Sequence, residues 1–108
     1  MDPTFRSTRD IIIRTRRFDE AKHFYENVMK LPIVHSSSEL MGYDAGAFRL
    51  YVESGEKEHG AVFEFLVPDL DAAKESLLDA GGKIVEEVAS HCYVRDPFGL
   101  IFNVNERS

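Results

Sequence analysis

Of the ionisable side chains in this sequence, Glu64 stands in the most apolar company, with Val62 and Phe63 before it and Phe65 and Leu66 after it. A carboxylate so placed is costly to desolvate unless a cation or a hydrogen-bond donor meets it. Groups of that kind serve as general bases or as ligand anchors; an ion pair with Arg14 or Arg49 is the structural alternative. His91 falls in an alternating run, His91-Cys92-Tyr93-Val94-Arg95, and suits proton transfer, or a surface or interface position. Cys92 does not pair with it for nucleophilic catalysis, because adjacent strand residues point to opposite faces. His23, His35 and His59 stand at positions that read as solvated, and Met29 and Met41 as core filling.

These side chains depend on the elements that hold them. Residues 1 to 9 read as a loose polar arm, followed by a strand from Asp10 to Thr15. Phe18 to Lys30 has helical spacing in Phe18, Ala21, Phe24, Tyr25, Val28 and Met29, with Asp19 near its start and Leu31-Pro32 at its end. Strands are expected near Ile33 to Ser36, Leu40 to Asp44 and Ala47 to Glu53, before a charged link, Ser54 to Gly60. The pattern then repeats: a strand at Ala61 to Val67, a helix at Asp69 to Ala80 capped by Asp69 and stopped by Gly81-Gly82, and strands near Lys83 to Val88, His91 to Arg95 and Leu100 to Asn105. Asp96-Pro97-Phe98-Gly99 joins the last two as a hairpin, with proline pre-set for the turn and glycine free to take positive φ.

An offset of 52 residues superposes Phe18-Asp19-Glu20-Ala21-Lys22 on Leu70-Asp71-Ala72-Ala73-Lys74, and Ile11 and Ile13 on Phe63 and Phe65. The expected fold is therefore α+β, built from two tandem βαβββ modules at about 10–53 and 61–106 in a single domain. If Ile11, Ile13, Phe63, Phe65, Cys92, Val94, Phe102 and Val104 face the helices, alternation sends Asp10, Arg14, Glu64, His91, Tyr93, Asn103 and Asn105 the other way. In the fourth strand Arg49, Tyr51 and Glu53 lie opposite Phe48, Leu50 and Val52. A mixed polar and aromatic face of this kind suits a small-molecule site, where a few polar groups orient a ligand against rings.

Composition narrows the function classes. A net charge of −6 disfavours sequence-independent nucleic-acid binding and anionic membrane surfaces, and it suits a cationic ligand. No apolar run is long enough for a membrane span and the N-terminus lacks a signal-peptide core, so the expected location is cytoplasmic. One cysteine permits no internal disulfide.

The strand followed by Phe18 through Pro32, with Phe24-Tyr25 and Val28-Met29-Lys30-Leu31-Pro32, resembles the opening of the glyoxalase, bleomycin-resistance and extradiol-dioxygenase superfamily, the vicinal oxygen chelate proteins. Val67-Pro68-Asp69-Leu70-Asp71-Ala72-Ala73, Gly81-Gly82 and Asp96-Pro97-Phe98-Gly99 resemble its second half. The resemblance implies paired βαβββ modules forming a curved mixed sheet around a cleft, helices on the outer face, and commonly a homodimer. Metal-dependent members hold a divalent ion with four His or Glu side chains. Carried onto this chain, those positions fall at Asp10, within Arg49 to Tyr51, near Val62 and at Asn103, none of them His or Glu. No metal or other cofactor is therefore expected, because such ions take imidazole, thiolate or carboxylate donors. The leading expectation is a metal-independent protein that binds an aromatic or cationic small molecule. The alternatives are a lyase, isomerase or dioxygenase using Glu64 as base or a displaced metal set of Asp10, His59, Glu64 and His91, and a regulatory module with an empty cleft.

Overall fold

The computed structural model describes residues 4–88 and 90–107. The expected arm at residues 1–3 lies outside them. Residues 9–62 form one compact unit; the chain from Phe63 onward, with the N-terminal residues through Thr8, forms the other.

The first module runs β1 (Arg6–Thr15), α1 (Phe18–His23), β2 (Ile33–Ser36), β3 (Leu40–Asp44) and β4 (Arg49–Ser54). Its strands lie in the order β2-β3-β4-β1, with β1 parallel to β4 and the other pairs antiparallel. The second runs β5 (His59–Val67), α2 (Leu70–Asp79), β6 (Lys83–Glu87), β7 (His91–Arg95) and β8 (Ile101–Glu106), in the order β6-β7-β8-β5, with β5 parallel to β8. Both modules are therefore βαβββ units of one topology. The registers repeat as well, since Ile11 faces Leu50 and, 52 residues on, Phe63 faces Phe102.

Each helix covers one face of its own sheet. In the first module Phe18 packs with Met41, Tyr43 and Val52, joined by Ile13, Ala21, Tyr25, Leu31 and Leu50. In the second, Leu70 and Ala73 pack with Val67, Cys92, Val94, Phe102 and Val104, joined by Phe5, Phe65, Leu77 and Ile84. Asp69 caps α2 by accepting from the Ala72 N–H at 3.1 Å, which satisfies a helix-start donor. The 96–99 turn forms as expected: the Asp96 carboxylate accepts from the N–H groups of Phe98 and Leu100, and Gly99 takes φ 100°. Asp44 and Gly46 repeat the device, with Gly46 N–H on the Asp44 carboxylate at 2.8 Å and φ 95°.

Four expectations are corrected. The arm is not loose from Arg6 to Arg9, which lie in β1, because ladder pairing is a backbone property that polar composition does not forbid. The first helix is not α-helical through Lys30: α1 gives way at Phe24–Val28 to a π turn, and Lys30 takes φ 56°. That rotation leaves Phe24, Val28 and Met29 exposed, so Met29 is not core, whereas Met41 is. Asp19 stands in the first turn of α1, as expected, while the N-cap position falls at Arg17, with no side-chain cap hydrogen bond. Phe63 is 47% exposed, because α2 has only ten residues, about 15 Å of helix, and the cluster beneath it takes in Phe65 and Val67.

Candidate functional site

In the first module, the parallel register of β1 and β4 sets Asp10 opposite Arg49 and Arg14 opposite Glu53. Each pair closes as an ion pair, Arg49 Nε to Asp10 Oδ1 at 2.7 Å and Arg14 Nε to Glu53 Oε1 at 2.6 Å. Arg14 also donates to the Lys57 carbonyl at 3.3 Å. Both arginines once considered as partners for Glu64 are thus bound to acids of their own module. Tyr51 lies beside them on β4, opposite Gly42 of β3. A Cβ at Gly42 would stand 2.7 Å from Tyr51 Cε1, so this position must be glycine for the ring to lie across β3. His35 is exposed, as expected, with its ring 6.4 Å from the Tyr51 ring.

In the second module, β5 and β8 put Glu64 opposite Asn103, while β7 and β8 put Tyr93 opposite Asn103 and His91 opposite Asn105. Asn103 Nδ2 donates to Glu64 Oε2 at 3.3 Å, a long contact for an amide on a carboxylate. Glu64 is half-buried and, among the described residues of its own module, has no ion pair. Among the described residues Asn103 is the one buried polar residue, 3% exposed, and its Oδ1 has no hydrogen-bond partner. Tyr93 is buried, His91 and Asn105 are half-buried, and the His91 and Tyr93 rings lie 6.1 Å apart. The five residues expected on this face therefore share it, as one carboxylate, two rings and two amides.

Cys92 is fully buried on the helix side. Burial pushes its thiol above the ordinary cysteine range, with Lys74 opposing that rise. A thiol held protonated is a poor nucleophile, in keeping with its separation from His91. His59 engages the Gly60 carbonyl at 2.8 Å, and His23 meets Asn27 at 3.1 Å. A residue the sequence did not single out is Tyr43, which is fully buried and donates to Glu26 Oε2 at 2.7 Å, pinning the π turn to β3. Burial first, and the Glu26 carboxylate second, push its phenol well above the ordinary tyrosine range.

The four positions that hold the metal in metal-dependent members do not fit one here. Asp10 is engaged by Arg49, the stretch from Arg49 to Tyr51 offers a cation, a leucine and a phenol, Val62 is apolar and 3% exposed, and Asn103 gives its amide to Glu64. Divalent ions of the zinc, iron or manganese kind need several anionic or imidazole donors together. Among the described residues no three His, Cys, Asp or Glu side chains are grouped as a metal site.

Two modules of one βαβββ topology, each with a helix on one sheet face and polar and aromatic residues on the other, define the class to which the chain is assigned. The model of the glyoxalase-like domain family matches residues 10–105, so the chain belongs to that family, within the glyoxalase, bleomycin-resistance and dioxygenase superfamily. Among solved structures it is similar to the NAD-dependent benzaldehyde dehydrogenase from Legionella pneumophila, with TM-score 0.71 and 15% identity over 92% of this chain and 98% of that one. It is similar to a glyoxalase/bleomycin resistance protein/dioxygenase superfamily member from Vibrio splendidus 12B01, with TM-score 0.64 and 16% identity over 96% of this chain and 100% of the other. The Mn(II)-bound glyoxalase from Novosphingobium aromaticivorans gives TM-score 0.62 and 22% identity; this chain is covered to 95% but spans only 40% of that protein. At these identities the likeness is one of fold. No curated protein sequence matches the chain.

Proposed function

We propose that this chain binds a small organic cation with an aromatic or apolar body, without a metal ion, through the face of the second module that carries Glu64, His91, Tyr93, Asn103 and Asn105. The observation that carries the reading is the pair at Glu64 and Asn103: a half-buried carboxylate without a cation in its module, beside a buried amide whose carbonyl oxygen has no partner. Two acceptors side by side favour a ligand that brings N–H donors or positive charge. The neighbouring rings add apolar area and attraction for a cation over their faces. In the first module the charges of Asp10, Arg14 and Arg49 are already compensated by ion pairs, which suits them less to anchoring a charged ligand. The metal positions support the same reading, since their donors do not suit an ion.

Metal analysis of protein purified without affinity tag or chelator tests the metal-independent part: well below one ion per chain is expected, and stoichiometric Ni, Zn, Fe or Mn overturns it. Isothermal titration with benzamidine and benzyltrimethylammonium tests the binding part. Saturable binding that Glu64→Gln weakens supports the reading; affinity unchanged in Glu64→Gln refutes the anchor. The same half-buried carboxylate, held by an amide donor rather than a cation, also favours a second reading in which Glu64 abstracts a proton from a bound substrate. Turnover of a carbonyl substrate that disappears in Glu64→Gln while binding persists would select it.

A further inference from the structure

We propose that the second module also carries an oxyanion pocket, formed by Arg6 and Arg107, that takes the phosphate or carboxylate group of a small molecule with a short apolar body. A cavity of about 500 Å³ is lined by Thr4, Arg6, Ser7, Leu66, Val67, Pro68 and Arg107, of which only Leu66, opposite Asn105, borders the face assigned above. This volume lies within the ordinary range of small-molecule sites. Among the described residues the polar part of the lining comes from two arginines, a threonine and a serine, with no acidic residue. Leu66 and Pro68 provide the apolar side, the Val67 side chain being buried in the core.

Among the described residues Arg6, Arg95 and Arg107 are the arginines without a carbonyl or carboxylate partner, and of these only Arg6 and Arg107 line the cavity. Arg9, Arg14, Arg16, Arg17 and Arg49 all engage backbone carbonyls or carboxylates. Arg6 and Arg107 engage neither among the described residues, although the chain carries a net charge of −6 and has carboxylates to spare. The adjacent acids are otherwise occupied: Glu106 accepts from the Leu70 N–H at 2.9 Å and Asp69 from that of Ala72 at 3.1 Å. The backbone of Arg107 is fixed, its N–H donating to the Val67 carbonyl at 2.8 Å, and Arg6 lies in the regular strand β1. Two guanidinium forks based on ordered backbone at one cavity match the planar oxygens of a phosphoryl or carboxylate group, which each can meet with paired N–H donors. The Thr4 hydroxyl extends the donor set.

The test uses the full chain and two probes that share a phenyl body, phenyl phosphate and benzoate, titrated while the arginine side-chain Nε–H signals are followed by NMR. Saturable shifts of the Arg6 and Arg107 signals are expected, and the probe that binds more tightly identifies the headgroup. Arg6→Gln and Arg107→Gln should each weaken binding roughly tenfold, as loss of a charge-assisted hydrogen bond does, and the double variant should abolish it. Both side chains are exposed, so the variants should fold; circular dichroism checks this, and the wild-type signals test the proposal without them. Arg95→Gln, an exposed arginine outside the cavity, should bind as the wild type does. No saturable response at either arginine overturns the proposal, as does unchanged binding by the double variant or an equal response to sodium chloride at matched ionic strength.

Discussion

Replacing Asn103 with valine should leave the protein as stable as before, or more so, while weakening its ligand binding. The amide makes one hydrogen bond, Nδ2 to Glu64 at 3.3 Å, and leaves a buried carbonyl oxygen without a partner. A hydrogen bond of that length contributes at most about 1 kcal/mol, and a buried acceptor left unmade costs about 1–3 kcal/mol. Valine removes both, leaves the half-buried Glu64 carboxylate to water in place of the amide, suits a strand and is no larger than the space can absorb. The net is about 1 kcal/mol of stabilisation, or a rise of roughly 4 °C in Tm for a domain of this size. Chemical denaturation monitored by circular dichroism measures it, and titration with benzamidine in parallel should show weaker binding. A polar group retained against stability is a mark of function. Destabilisation by more than about 1 kcal/mol would refute the reasoning, because the amide would then be structural.

Other outcomes follow from single contacts. Tyr43→Phe should cost about 2 kcal/mol by removing the phenol from the Glu26 carboxylate, with Glu26→Gln and the double variant in a cycle isolating the coupling. Because the folded-state pKa of Tyr43 is raised, its contribution is fully present below the ordinary tyrosine value near pH 10 and declines as pH rises beyond it; denaturation between pH 8 and 11 should show that decline, flattened in Tyr43→Phe. Asp69→Ala should lower stability by about 1 kcal/mol through loss of the α2 cap, read as a shift in urea midpoint. Gly99→Ala, at φ 100°, should cost about 1–2 kcal/mol, whereas Gly60→Ala, where an added Cβ meets nothing, should cost little.

The fold was legible because its signals are local and repeated. β2, β3 and β7 run over the residues expected from alternation and turns, and the 52-residue offset reappears as equal registers in the two modules. The π turn was not legible: Phe24, Val28 and Met29 have helical spacing, but spacing does not reveal that the ladder widens at Phe24 and turns those side chains outward. Alternation put Tyr93 and Asn103 on the correct side of their strands and was silent on their burial, which depends on what lies over that face. The ion pairs of Asp10 and Arg14 were within reach, since pairing β1 parallel to β4 brings those acids and arginines opposite one another. The Arg6 and Arg107 pocket was not, because it joins the two ends of the chain and no periodicity links them.

The most direct test of the central claim is the thermal shift that benzyltrimethylammonium or benzamidine produces in chelator-treated protein. A ligand at one hundred times its Kd that binds only the folded state adds about 2.7 kcal/mol, or roughly 10 °C here. The account predicts a rise of that kind that is indifferent to the chelator and reduced in Glu64→Gln. A shift that appears only when a divalent metal is restored, or one equal in Glu64→Gln, would contradict it.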